Sequence, residues 1–497
     1  LRANLGPLTP RTRILEFTIQ DSAIDIAEHI LLSSPRIVGF GVYIWNVEQT
    51  RKVIEILKSI SPHLTIVLGG PEVSYETEQQ SICSLADYII TGEADHAFRE
   101  LCTALIQDAP PPSRIIHAVP PKAESLALPY DLYHDEDIRQ RVLYVEASRG
   151  CPFTCEFCLS SLDIPVRQFA LPDFLTQIDA LIERGARQFK FVDRTFNLNI
   201  RTSTHILEFF LARMDRGLFV HFEMVPDRLP PALRQTLARF PAGSIQLEVG
   251  IQTFNPEVAA LISRRQNYAA LEDNLRFLRQ ETGVYIHADL IAGLPGEDLD
   301  SFAHGFDRLV VLAPQEIQVG ILKRLRGAPI ARHSDAYQMV YASQAPYEIL
   351  QTKDLSFEQL QMLRRFARTW HQIANSGSFC GATPLLWESP NTSSPFFAVM
   401  EFSEWLNQQY PASSGRSLTR LAQAMYNYLV THRGIESEFV LTMLSNDFDR
   451  LNRTDKPQVL ADFERSNPLL RDRLRARRSI PQPSLATPAR QQRHLAG

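Results

Sequence analysis

Arg149-Gly150-Cys151-Pro152-Phe153-Thr154-Cys155-Glu156-Phe157-Cys158 decides how this chain is read. Three of its six cysteines fall in this one stretch, at C-x3-C-x2-C spacing. They follow Leu143 to Val145, a short apolar run that predicts a strand, so the thiols are expected at one end of a sheet. Thiolates select zinc or iron–sulfur clusters over hard cations. Structural zinc asks for four closed ligands with a second Cys/His pair downstream, yet Cys83, Cys102 and Cys380 stand alone. Three clustered cysteines suit instead a four-iron cluster that keeps one iron open to an outside ligand.

With the aromatic Phe157 just before the last cysteine, Cys151, Cys155 and Cys158 resemble the signature of the radical S-adenosylmethionine (SAM) superfamily. The resemblance implies a [4Fe-4S] cluster on the three cysteines, with Phe157 beside SAM. In that family the open iron chelates the amino and carboxylate groups of SAM. Electron transfer then releases a 5'-deoxyadenosyl radical that abstracts a hydrogen atom. The cofactors carry the hard chemistry, and the protein supplies position and water exclusion.

A length of 497 residues allows two or three domains and an ample core. Hydrophobic content of 44% and charge of 22% describe an ordinary soluble chain. A net charge of −5 gives no global case for nucleic-acid binding. No apolar run reaches the roughly 18 residues of a membrane span. Sparse cysteine and a thiolate-held cluster point to a reducing compartment, so the cytoplasm is expected. The sequence begins at Leu1 with no charged-then-apolar leader, and a missing N-terminal segment is expected rather than a signal peptide.

Over residues 1–120, short β-rich runs alternate with helical patterns. Arg13 to Phe17, Ile37 to Val42, Thr65 to Leu68 and Asp87 to Ile90 predict strands. Helices are predicted over Ile24 to Leu32, Val47 to Leu57 and His96 to Ile106. Such alternation indicates a Rossmann-like, doubly wound parallel sheet with ligands at the strand C-terminal ends. Those ends carry Tyr43 and Trp45, then Gly69-Gly70-Pro71-Glu72, then Gly92-Glu93. A Gly-Gly-Pro turn alone reads as a tight strand-to-helix connection. Placed before the cysteine loop, the stretches Ile66 to Pro71 and Asp87 to Glu93 resemble the cobalamin-binding domain of the B12-dependent branch. The resemblance implies cobalamin contacts at Tyr43, Trp45, Gly69, Gly70, Pro71, Glu72, Gly92 and Glu93. Arg13 begins what resembles the second strand of that domain, so its first strand is expected to be missing. The string Asp-x-His-x-x-Gly, which gives cobalt a histidine in related mutases, does not occur. His29 and His96 fit ordinary surface or packing roles. The Pro-rich passage Ala109 to Pro129 reads as a linker, with the domain boundary placed over 121–140.

From 141 to 330 the pattern repeats strand then helix. Strands are predicted at Leu143–Glu146, Phe189–Asp193, Val220–Met224, Ile245–Val249, Tyr285–Ile291 and Ile317–Ile321. Six such units predict a partial (β/α)6 barrel whose function gathers at strand C-terminal ends. Glu223, Gln252, Arg264 and Asp289 look like the SAM-binding constellation of the oxygen-independent coproporphyrinogen dehydrogenase branch, which implies SAM contacts for all four. Carboxylates suit the ammonium or ribose hydroxyls, and arginine the SAM carboxylate. Arg265 competes with Arg264, Glu248 reads as a sheet-end carboxylate, and Asp193 either lines the pocket or caps the next helix. No P-loop accompanies these strands, so a nucleotide triphosphatase is not supported.

From 331 to 470 the alternation stops and a mainly helical domain is expected, with helices over Phe357 to Trp370 and Leu418 to Thr431. Loops are expected at Asn391 to Pro395 and Ser413 to Gly415. This region resembles an uncharacterised type of C-terminal domain in the same family. Core or surface roles are expected for Tyr347, Lys353 and Trp370. The arginines at 473, 475, 477 and 478 belong to a basic flexible tail over 471–497. Together the resemblances imply a cobalamin-dependent radical SAM enzyme, a C-methyltransferase by expectation, or else a cyclase, oxidoreductase or rearrangement enzyme. A monomer fed by flavodoxin or ferredoxin and acting on a small molecule or peptide, away from membranes, completes the expectation. A metal-binding regulatory module needs no SAM contacts at several strand ends, which argues against it.

Overall fold

The computed structural model describes residues 1–388, 394–411, 416–467 and 487–495. Packing divides the chain into two compact units. The first comprises Leu1–Arg139, Ala147–Arg184 and Lys323–Leu350; the second comprises Gln140–Glu146, Gly185–Leu322 and Gln351–Gly497. Neither is one contiguous stretch, so both cross the boundaries expected near 140 and 330.

The first unit contains a parallel sheet whose strands lie side by side in chain order: β1 (Ile37–Gly41), β2 (Thr65–Gly69), β3 (Tyr88–Thr91) and β4 (Ile115–His117). Successive side chains of a strand point to opposite faces. Ile66 and Leu68 of β2 accordingly pack with Ile26 and Ile30 of the Ala23–Leu31 helix and Val53 and Leu57 of the Val47–Ile60 helix. Val67 and Ile90 pack with Leu101 and Phe98 of the Asp95–Ile106 helix. Helices on both faces give the layered arrangement that the alternation predicts.

Two expectations fail here. Arg13 to Phe17 forms no strand, and Ile14, Leu15 and Phe17 are exposed. In the sheet β1 pairs only with β2, so this run has no ladder to join. Ile115 to His117, assigned to the Pro-rich linker, forms β4 instead. Its paired isoleucines join Ile89 and Ile90 of β3, and sheet pairing outweighs the flanking prolines.

The second unit holds six parallel strands in the order β10-β9-β8-β7-β6-β5. These are β5 (Leu143–Val145), β6 (Gln188–Phe191), β7 (Phe219–Met224), β8 (Ile245–Gln252), β9 (Tyr285–Ala292) and β10 (Glu316–Ile321). All six expected strands are present. One face is apolar: Phe189 and Phe191 meet Phe210 of the Ile200–Leu211 helix, with ring centroids 5.5 and 5.9 Å apart. The alternate residues carry polar groups.

The C-terminal helices Phe357–Trp370 and Leu418–Thr431 have the expected limits. Trp370 and Phe366 are buried against Phe306, which gives Trp370 a core role. Just beyond, the Asn375 side chain accepts from Ile317 N–H at 3.0 Å and donates to Ile317 O at 2.8 Å. It satisfies the backbone of edge strand β10, which an open sheet otherwise leaves bare. Ser394 caps the Pro395–Gln409 helix, whereas Asn391 to Ser393, Ser413 to Gly415 and the tail arginines 473–478 lie outside the described residues. The far end of the tail is not loose. Thr487 is buried and donates to Gly243 O at 2.7 Å, and a helix follows over Ala489–Leu495.

Candidate active site

In the first unit the cysteine loop leaves a two-residue antiparallel ladder in which Ser148 and Arg149 face Gln168 and Arg167. Gly150 adopts φ +92°, and a Cβ there would meet Asp163 O at 2.7 Å, so only glycine turns the chain at this point. Cys151 N–H donates to Asp163 O at 3.0 Å and Cys158 N–H to Cys155 O at 3.1 Å. All three cysteines are free of disulfides; Cys155 is buried, while Cys151, Cys158 and Phe157 are half-buried. Among the described residues no three His, Cys, Asp or Glu side chains converge on a single-ion cage. Cysteines on an iron–sulfur cube hold different irons and need not converge so tightly, so the soft donor set fits the cluster.

Carboxylates brace this loop on two sides. Glu156, 3% exposed between Cys155 and Phe157, accepts from Arg332 Nε at 2.8 Å and lies 2.9 Å from His333 Nε2. Its backbone oxygen accepts from Ile330 N–H at 2.9 Å. Glu93 accepts from Arg149 and Arg167, each at 3.1 Å. Asp95 also takes Arg149, at 2.8 Å, and Asp163 takes Arg167 at 2.8 Å. Half-buried ion pairs that share forked arginines fix geometry more than they add stability.

These contacts revise the expected cobalamin set. Glu93 is engaged by the cysteine loop. Glu72 is 3% exposed, accepting from Tyr347 Oη at 2.7 Å and Arg326 Nε at 2.9 Å. Both carboxylates serve as internal ties. Gly70, at φ +107°, packs on the backbone just after β1, where a Cβ would meet Val42 O at 2.6 Å. Close approach there is to the protein's own backbone. Gly69 has room, with Ile90 O at 3.7 Å from an added Cβ, and Gly92 N–H donates to Ser74 Oγ at 3.1 Å. Pro71 begins the short helix Pro71–Val73. Tyr43 and Trp45 stack at 4.5 Å with 10° between planes and remain 38% and 63% exposed, an aromatic surface at the end of β1. Exposed stacked rings, an uncrowded Gly69 and the Gly92 turn fit a large planar ligand over the strand ends.

In the second unit the polar face of the sheet carries Lys190, then His221 and Glu223, then Gln246, Glu248 and Gln252, then His287 and Asp289, and finally Glu316. Glu223, Glu248, His287 and Glu316 are direct partners across four strands. Burial, with Glu248 alongside, pushes the Glu223 carboxyl up to about 7. Burial acts on Glu248 too, but the His221 hydrogen bond at 3.0 Å and Lys190 at 3.4 Å outweigh it and hold that carboxyl down at about 2. His287 stands 3.2 Å from Asp289 and 3.2 Å from Glu316; burial opposes its charge, yet the two carboxylates raise it to about 10.

Gln252 takes φ +73° at a bulge between β8 and β9, a left-handed backbone that a non-glycine residue holds only against strain. Arg264 donates to Gly250 O, while Arg265 is exposed, so Arg264 is the arginine turned to the strand ends. Asp193 is buried and does not cap the next helix; Asn199 does. Asn197 Nδ2 donates to Val225 O at 2.8 Å and Asn197 Oδ1 accepts from Val225 N–H at 3.0 Å, fixing the loop after Glu223. Sequence reasoning passed over Lys190, His221, His287 and Glu316 and took Glu248 for a bare sheet-end carboxylate. Strict alternation in Ile245–Gln252 and Tyr285–Ala292 already placed Glu248 and His287 on the face of Gln252 and Asp289.

Comparison with known proteins divides the chain along the sequence instead, and the radical SAM match crosses from one compact unit into the other. The B12 binding domain family matches residues 9–102, and the Radical SAM superfamily matches 145–309. The chain carries a B12-binding domain followed by a radical SAM domain. A family described as "Protein of unknown function (DUF4080)" matches residues 335–483. The chain is 25% identical over 308 residues to the uncharacterized methyltransferase PH0819 of Pyrococcus horikoshii, covering 55% of this chain and 63% of that one. It is 24% identical over 365 residues to the cobalamin-dependent radical SAM methyltransferase TokK of Streptomyces tokunonensis, covering 63% and 49%. It thus spans less than two thirds of either relative. In fold it is similar to the cobalamin-dependent SAM radical enzyme OxsB, with TM-score 0.55, 13% identity, and coverage of 96% of this chain and 76% of that one. The methyltransferase TsrM of Kitasatospora setae gives TM-score 0.52, 17% identity, and coverage of 68% and 74%. Among the described residues no helix is long and apolar enough to cross a membrane.

Proposed function

We propose that this chain is a cobalamin-dependent radical SAM C-methyltransferase acting on an unactivated carbon of a small molecule or peptide. It would act as a cytoplasmic monomer that takes electrons from a flavodoxin or ferredoxin. One observation carries the reading: a single compact unit joins the three-thiol loop to the strand ends of a B12-type sheet, through Glu93 and Arg149. When bound, the cluster and SAM supply a hydrogen-abstracting radical and cobalamin a transferable methyl group.

The chain's own residues do the rest. Cys151, Cys155 and Cys158 would hold the cluster, with Phe157 beside SAM. Asp289 and ionised Glu223 hold the cationic and hydroxyl groups of SAM, Arg264 faces its carboxylate, and Gln252 supplies an amide at the strained strand end. Tyr43, Trp45, Gly69, Pro71 and Gly92 form the cobalamin surface, while Glu72 and Glu93 keep their loops in place.

The test is anaerobic reconstitution of the full chain. Iron–sulfur absorbance, retained cobalamin and formation of 5'-deoxyadenosine from SAM with reductant are expected together. Deoxyadenosine formed by a protein that never retains cobalamin overturns the methyl-transfer reading in favour of a cobalamin-free oxidoreductase.

A further inference from the structure

The Ala489–Leu495 helix lies against the starts of three strands of the six-stranded sheet. Gln491 Nε2 donates to Gln246 Oε1 at 2.6 Å near the start of β8. His494 meets Tyr285, first residue of β9, ring edge to face at 5.5 Å. Arg490 forms an ion pair with Glu316, first residue of β10, and donates from Nε to Asn375 O at 3.1 Å. This is the end of the sheet opposite the strand C-termini where the SAM contacts stand.

Charge nevertheless runs from one end to the other. Glu316 is 1% exposed and takes Arg490, Tyr285 Oη and His287 Nδ1. His287, through its other nitrogen, reaches Asp289 Oδ1 at 3.2 Å. A buried carboxylate with one cation removed pulls harder on the cation that remains. Without Arg490, Glu316 competes more strongly with Asp289 for the His287 imidazolium.

We propose that the C-terminal helix is a positioning element for SAM: Arg490 satisfies Glu316, which leaves His287 to orient the Asp289 carboxylate toward the ligand. Arg490 touches no cofactor and is a positioning residue. The inference rests on the reading that Asp289 contacts SAM and gives the docked terminus a function in that contact.

The experiment is anaerobic calorimetric titration of SAM into the cluster-reconstituted full chain and its Arg490→Gln, Arg490→Lys and Asp289→Asn variants. Arg490→Gln is expected to weaken SAM binding about ten-fold, the scale of a typical coupling between sites. Arg490→Lys keeps the charge and is expected to bind within about two-fold of the native chain. Arg490→Gln made on Asp289→Asn should add little further loss, because both act through one carboxylate. Native affinity in Arg490→Gln, with Asp289→Asn clearly weakened, overturns the inference and spares the SAM reading. Failure of the native chain to bind SAM, or native affinity in Asp289→Asn, overturns the SAM reading and the inference with it. Should Arg490→Gln melt without cooperativity, the lysine variant decides: loss of SAM affinity in a folded Arg490→Lys protein overturns the charge argument.

Discussion

Glu223 and Glu248 face one another across β7 and β8, and the two carboxyls meet different neighbours. Glu248 has His221 and Lys190 within reach, whereas Glu223 has Arg194 only at 3.9 Å. The acid raised to about 7 is therefore Glu223. Its folded value lies above the ordinary 4.5, so folding favours the uncharged form; that contribution is complete below about pH 4.5 and lost as pH rises through 7. Glu223→Gln should accordingly raise the melting temperature at pH 8 and leave it nearly unchanged at pH 5. The difference corresponds to about 2–3 kcal/mol by linkage. Ligand affinity should move the other way. If the ionised carboxylate holds SAM, native affinity rises between pH 6 and 8, as calorimetry at stepped pH would show, and the glutamine variant is weak and flat over that range. The cysteines give the plainer test: Cys155→Ala or Cys158→Ala should lose most bound iron and all SAM cleavage, while unchanged iron content would rule out the cluster assignment.

At the scale of elements, the Gly69-Gly70 turn separates packing from ligand approach. Gly70 combines φ +107° and ψ 170° with a close contact to Val42, so Gly70→Ala should cost about 3 kcal/mol or more in urea unfolding. Gly69→Ala meets only ordinary contacts and should hold the native melting midpoint while retaining less cobalamin; full retention would place the ligand elsewhere. The same elements explain how far the sequence could be read. Strands with continuous or strictly alternating apolar residues, such as Thr65–Gly69 and Ile245–Gln252, carry their own period and their positions follow from it. Arg13 to Phe17 has strand composition and no neighbour, while Ile115 to His117 has two isoleucines and a neighbour but lies among prolines, so the local pattern misjudged both. Glu72 and Glu93 stand in turns at strand ends, where the sequence reads them as ligand contacts. Their ionic partners lie 254 and 56 positions away, a separation that no local pattern encodes.

Those long separations govern the whole molecule. The first unit is completed by Lys323–Leu350, which joins it some 180 positions after the strand β5 begins, and folding of such non-local contacts is slow. Arg326 is the centre of this closure: its Nε and Nη1 serve Glu72 and Glu76 at 2.9 Å each, and its guanidinium lies 4.8 Å from the Tyr347 ring. Removing it strands the Glu72 carboxylate, 3% exposed, with only the Tyr347 hydroxyl. A buried charge robbed of its counter-ion destabilises by about 3–5 kcal/mol. Arg326→Met should therefore lower the denaturation midpoint sharply, whereas Glu72→Gln with Arg326→Met should recover much of the loss, since no buried charge then remains unpaired. Hydrogen exchange gives the spatial readout. In Arg326→Met, amides of β2 and β3 should lose protection together with those of Ile349–Gln351, because one closure holds all of them. Loss confined to 323–350, with β2 and β3 as slow as in the native protein, would mean that the sheet stands without its distant segment.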